Sequence, residues 1–145
     1  MNNPTTLQPF KITNMTESKL QQDIYTFFQN TYCLKHHNPR LLIHSTPNGG
    51  TRNKMEAITM KATGLVSGIA DLTIKLPNSF FIDVEIKTEK GIQSPNQKDI
   101  QKILEDMNCN YIIVRSLDDF KMKVIPIINK YLLSLHNNIT SDNSD

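Results

Sequence analysis

Residues 80–87 read Phe-Phe-Ile-Asp-Val-Glu-Ile-Lys, an alternation that an extended strand sorts onto two faces. Ile82, Val84 and Ile86 fall on one side, Asp83, Glu85 and Lys87 on the other. The segment 71–76, Asp-Leu-Thr-Ile-Lys-Leu, also reads as a strand, and the intervening Pro77-Asn78-Ser79 are turn formers. A hairpin follows, apolar on one face and charged on the other. A three-residue loop sets Leu76 opposite Phe80, Thr73 opposite Asp83 and Asp71 opposite Glu85. A loop of two or four residues would instead send Asp71 and Glu85 to opposite faces.

Helices and further strands surround this hairpin. Thr16 is placed to cap a first helix running to about residue 31, with Leu20, Ile24, Phe27 and Phe28 as its apolar stripe. A strand is expected over 41–46, followed by the turn Pro47-Asn48-Gly49-Gly50 and a helix over 53–62 that stops at Gly64. Ser94-Pro95-Asn96-Gln97 has the form of a capping box with proline at the first helical position, opening a helix that turns Ile100, Ile103, Leu104 and Met107 inward. A short apolar strand at 111–115 precedes a last helix over 118–135, with Phe120, Val124, Ile127, Tyr131 and Leu135 on one side and a kink or division at Pro126. The order α-β-α-β-β-α-β-α describes an α/β domain, a mixed sheet with helices packed on it.

A chain of 145 residues forms one domain, expected over 16–135, and is long enough for a real core. Residues 1–15 read as a flexible arm and 136–145, rich in Asn, Ser and Asp, as a disordered tail. The net charge of +2 is too small to mark a nucleic-acid binder, so any basic footprint must come from local clustering. Cys33 and Cys109, far apart and outside any ligand pattern, read as reduced thiols in a cytoplasmic protein. Neither a signal peptide nor a membrane span is expected.

Two carboxylates directly opposed on a hairpin have Cβ atoms roughly 5 Å apart and repel. Asp71 and Glu85 therefore call for a cation between them or a proton on one. Lys87, one pleat beyond, can hold a water or a phosphate oxygen. Such a set suits phosphodiester hydrolysis: carboxylate oxygens bind Mg²⁺ or Mn²⁺, the ion activates water and offsets charge on phosphate, and the lysine stabilises the transition state. The backbone carbonyl of Ile86 is a candidate additional ligand. Glu-x-Lys alone is a weak signal; Asp71 in matched register makes it more specific.

Gly68-Ile69-Ala70-Asp71-Leu72, Val84-Glu85-Ile86-Lys87 and Gly91-Ile92-Gln93-Ser94-Pro95-Asn96-Gln97 together resemble the VRR-NUC domain of the PD-(D/E)XK nuclease superfamily, which has a restriction-endonuclease-like fold. Pro47-Asn48-Gly49-Gly50-Thr51-Arg52 and Lys61-Ala62-Thr63-Gly64 are similar to the small phage and bacterial versions, and 111–116 resembles the strand that closes the domain. The resemblance covers 17–116 and implies a divalent-metal DNA endonuclease, often a homodimer, acting on branched DNA such as four-way junctions or flaps. By motif position it makes Asp71 and Glu85 metal ligands and Lys87 the catalytic lysine. Ala70 replaces the proline usual before the aspartate, which touches backbone geometry more than chemistry.

Other candidates have two accounts each. Glu17 favours the dipole of the helix it opens, yet it shares a face with Leu20, Ile24 and Phe28 and would extend the buried stripe; the resemblance implies that a glutamate on this helix can approach the metal. Gln97 is the capping partner of Ser94, and the resemblance places a glutamine here beside the active site. Asp83 shares the face of Glu85 without a motif counterpart and reads as a solvated charge. Asn48, Arg52 and Lys54, around the Asn-Gly-Gly turn, are candidate DNA contacts, although charges on a helix are more often a solvated face. The rival function is a nuclease fold that binds DNA structure or scaffolds a partner without cutting. No helix-turn-helix signature supports a transcription regulator.

Overall fold

The computed structural model describes residues 15–46 and 53–141. Helix α1 (Glu17–Phe28) starts where the Thr16 hydroxyl accepts the Lys19 amide proton at 3.1 Å, and it buries Leu20, Ile24 and Phe28. Rather than continuing as α-helix to residue 31, the chain widens into a π-helical turn, Gln29–Cys33. The wider turn shifts the inward face, so that Tyr32 packs on Phe28 with ring centroids 4.9 Å apart and Cys33 enters the core.

Strands β1 (Leu42–Ser45), β2 (Leu72–Lys75), β3 (Phe81–Ile86) and β4 (Asn110–Val114) form one four-stranded sheet in the order β1-β2-β3-β4. The first two pairings are antiparallel and β3–β4 is parallel, which makes the sheet mixed. The parallel pair requires a crossover, and helix α3 (Pro95–Asp106) supplies it. The hairpin has the expected register: Thr73 pairs with Asp83, and the Leu76 amide donates to the Phe80 carbonyl at 2.8 Å. Asn78 and Ser79, at φ 56° and 61°, close its loop in the left-handed region.

Ile43, Leu72, Ile74, Ile82, Val84, Ile86 and Val114 are buried in one cluster with Leu20, Ile24 and Phe28 of α1. Phe120 of α4 (Leu117–Lys123) meets Phe27 and Phe28 edge-on, each at 6.3 Å. Of the kink or division expected near Pro126, the chain takes the division: α4 ends before Val124, and α5 (Ile125–Ser141) begins with Pro126 in its first turn, where a missing amide proton costs little. The division resets the helical phase, so Ile128 is buried while Ile127 is only half-buried. Helix α5 continues past residue 135 to Ser141, since extending an anchored helix is far easier than nucleating one.

Two helices are less buried than their sequences suggest. Asn53 caps α2 (Lys54–Ala62), which contains no buried residue and leaves Met55 and Ile58 exposed. On α3, Ile100 and Leu104 are half-buried, but Ile103 and Met107 are 51% and 59% exposed and do not turn inward as expected. Among the sheet strands α3 packs mainly on the edge strand β4, too narrow a surface to cover its whole apolar stripe. Among the described residues, no helix is long and apolar enough to cross a membrane.

Candidate active site

The face of β3 opposite the core carries Asp83 and Glu85, and Lys87 follows just beyond the strand, its amide donating to the Val114 carbonyl at 3.0 Å. Asp71 lies immediately before β2, and its Oδ2 accepts the Ile86 amide proton at 2.8 Å. In an antiparallel pairing the N–H and C=O of one residue face the same neighbouring strand, so the Ile86 carbonyl also projects toward the Asp71 side.

Glu85 is fully buried and held from three directions. Its Oε1 is 2.6 Å from Lys87 Nζ and also accepts from Gln97 Nε2, while Oε2 accepts from the Tyr111 hydroxyl at 3.3 Å. Burial pushes the Glu85 carboxyl above the usual carboxylate range, a shift reinforced by Asp71 and opposed by Lys87 and Tyr111. Asp71 is raised as well, first by burial and then by Glu17, against the Ile86 amide and Lys87. The Tyr111 hydroxyl is raised by burial and by the charge of Glu85.

Gln97 both caps its helix and reaches Glu85. Its Oε1 accepts the Ser94 amide proton at 2.8 Å, completing the capping box of α3, and its Nε2 donates to Glu85. Gly68 brings this helix start close to the hairpin. A methyl at residue 68 would lie 2.6 Å from the Asn96 carbonyl and 2.8 Å from the Gln97 amide, and the backbone there has φ +88°. Only glycine combines that approach with that conformation. The Asn96 side chain ties the same junction by donating to Ser67 Oγ at 2.9 Å.

Glu17 is not part of a buried stripe: its side chain is 47% exposed. It stands 3.9 Å from Lys87 Nζ, in the first turn of α1, one turn before the first buried residue, Leu20. Asp83, expected to be solvated, is buried and accepts from Thr73 Oγ1 at 2.5 Å. Its register partners Thr73 and Tyr111 enclose it across the sheet, and that burial raises its carboxyl. Lys54 is exposed at the start of α2, whereas Asn48 and Arg52 lie outside the described residues. The loop after Lys87 is fastened by Arg115, which donates to the carbonyls of Thr88, Glu89 and Gly91 at 2.6, 3.2 and 2.8 Å.

Tyr111 and Gln93 were not singled out as site residues from the sequence. The one available signal was parity, since Tyr111 alternates with Ile112 along β4, but the parallel pairing that sets it beside Asp83 depends on the crossover.

Among the described residues, no group of three or more His, Cys, Asp or Glu side chains could cage a metal ion. Mg²⁺ does not require one, because it keeps several waters and is commonly held by one or two carboxylates. Asp71 and Glu85 are oxygen donors, and the charge of Asp71 adds to the proton affinity of Glu85; the pair fits Mg²⁺ or Mn²⁺ and does not fit a structural zinc.

No family model matches the chain, and no curated protein matches it in sequence. Among solved structures, a VRR_NUC domain protein superposes with a TM-score of 0.59 at 22% identity, covering 81% of this chain and 88% of that one. The likeness is one of fold: a mixed sheet flanked by helices.

Proposed function

We propose that this chain is a Mg²⁺-dependent endodeoxyribonuclease, also served by Mn²⁺, that hydrolyses phosphodiester bonds in branched DNA such as four-way junctions or flaps. The observation that carries the proposal is the meeting of Asp71, Glu85, Lys87 and Gln97 at one end of the β2–β3 hairpin. The fold shared with a VRR_NUC domain protein supports it.

Asp71 and Glu85 would hold the ion, with the Ile86 carbonyl as a further oxygen. When bound, Mg²⁺ supplies a Lewis acid for phosphate oxygens and lowers the pKa of water. Lys87, paired with Glu85 at 2.6 Å, donates to the attacking water or to a phosphate oxygen where charge develops. Gln97 steadies Glu85, and Glu17 restrains Lys87 from the rim. Asn48, Arg52 and Lys54 would contact the DNA backbone and set its register without reading bases. A chain this small spans a branched substrate more readily as a two-fold homodimer, which would present two cutting centres symmetrically.

The test is a cleavage panel of four-way junction, flap, nicked and plain duplex DNA with Mg²⁺, resolved on gels beside Glu85→Gln. Cutting of the branched substrates by wild type alone supports the proposal. Binding of junctions without cutting at any Mg²⁺ concentration overturns it and favours a DNA-structure scaffold.

A further inference from the structure

An ionised carboxylate offers about four lone-pair sites, two on each oxygen. On Glu85, Lys87 and Gln97 both contact Oε1, which accounts for that oxygen. Tyr111 takes one site on Oε2, leaving the second as the place where Glu85 can meet a cation. Asp71 divides its oxygens similarly: Oδ2 is bound to the Ile86 amide, and among the described residues no hydrogen bond reaches Oδ1.

The hydroxyl of Tyr111 is itself oriented. Gln93 Nε2 donates to Gln101 Oε1 at 2.9 Å and to the Tyr111 oxygen at 3.4 Å. A hydroxyl that accepts from Gln93 turns its single proton toward Glu85. Gln101 is anchored in turn through its Nε2, which donates to Glu105 Oε1 at 2.7 Å, so a chain of side chains runs from α3 to the buried carboxylate. The bonds at 3.3 and 3.4 Å exceed the usual range, so they aim the carboxylate more than they stabilise it.

We propose that Tyr111, oriented by Gln93, is a positioning residue that directs Glu85 Oε2 toward the cation. The inference rests on the cation site proposed above. It assigns Tyr111 no contact with DNA and no proton transfer. The general precedent is that groups hydrogen-bonded to a metal ligand tune affinity by fixing its direction.

The experiment titrates the full-length chain with Mn²⁺ alone by isothermal calorimetry, comparing wild type, Tyr111→Phe and Glu85→Gln. Tyr111→Phe should weaken Mn²⁺ binding by roughly 10-fold or more, the usual effect of losing such a partner. Its melting temperature without cation should match wild type, and the Mg²⁺ concentration for half-maximal cleavage should rise by the same factor. Equal Mn²⁺ affinity in wild type and Tyr111→Phe overturns this inference while leaving the cation site standing. No Mn²⁺ binding by wild type overturns both. If Tyr111→Phe does not fold, Gln93→Leu carries the test: weaker binding supports the orienting chain, and unchanged binding overturns it.

Discussion

The Asp71 carboxylate and the Ile86 amide meet across the hairpin at 2.8 Å, so the aspartate is held by the backbone between Glu85 and Lys87. Asp71→Asn keeps an oxygen able to accept that bond and removes only the charge. Asp71→Asn and Glu85→Gln should therefore fold, bind DNA as well as wild type or slightly better, and fail to cleave. Lys87→Ala should also fail to cleave yet still bind the cation, whereas Asp83→Asn should cleave within severalfold of wild type. Gel cleavage and filter binding check the series. An inactive Asp83→Asn beside an active Glu85→Gln would move the site by one pleat.

Cation binding should register as stability. An ion bound only by the folded state stabilises it by about 2.7 kcal/mol at a hundredfold excess over Kd. Mg²⁺ and Mn²⁺ should raise the melting temperature by several degrees. Ca²⁺ should do so too, without supporting cleavage, because its looser coordination positions water poorly. Glu85→Gln should lose most of the shift; retention of the full shift would place the ion elsewhere.

Without divalent cation, pH should act on this protein in the opposite sense to ordinary acid unfolding. Asp71, Asp83 and Glu85 are all raised by burial, so the folded state holds their protons more tightly than the unfolded chain does. Their contribution to stability is fully present below the ordinary carboxylate values of about 4 and is lost as pH rises through the raised ones. In EDTA, the melting temperature should increase as pH falls from neutral through that window, less steeply in Glu85→Gln. A monotonic fall in wild type over the same window would contradict the assigned directions.

Gly68→Ala should be costly although its own methyl is small. The new carbon meets the backbone of Asn96 and Gln97, and φ +88° disfavours any side chain there. A loss of about 1–3 kcal/mol is expected in urea unfolding. Cleavage should fall further than stability alone explains, because a displaced Gln97 no longer steadies Glu85. Gly64→Ala is the contrast, with a comparable φ of +102° and no neighbouring atom within 4 Å.

Assembly is tested by light scattering at micromolar concentration. A homodimer gives twice the 16.6 kDa of the chain. A monomer mass with cleavage intact rules the dimer out.

The hairpin was legible because its information is local: alternation assigned the faces of 80–87, and the three-residue loop brought Asp71 toward Glu85. The capping box at Ser94 was legible for the same reason. What the sequence left open depends on partners distant in the chain. Ile103 and Met107 have the spacing of an inward stripe, but how much of it is covered depends on the width of the sheet beneath α3. Asp83 looks like any outward strand charge until Tyr111 arrives beside it. Glu17 shares a helical face with buried residues, yet its side chain is half exposed, because burial in a helix's first turn depends on what packs beside it.

The parallel pairing of β3 with β4 also governs when the site can exist. The β2–β3 hairpin closes over a short loop and can form early, bringing Asp71 and Glu85 into register by itself. Tyr111 arrives only with β4, after the chain has looped through α3, and such long-range closures are the slow events of folding. A freshly synthesised chain would therefore pass through a stage in which the two carboxylates oppose each other without their full set of donors. The buried carboxylate would gain its last donor only when the last strand docks, so the order of strand pairing sets the order in which the site is assembled.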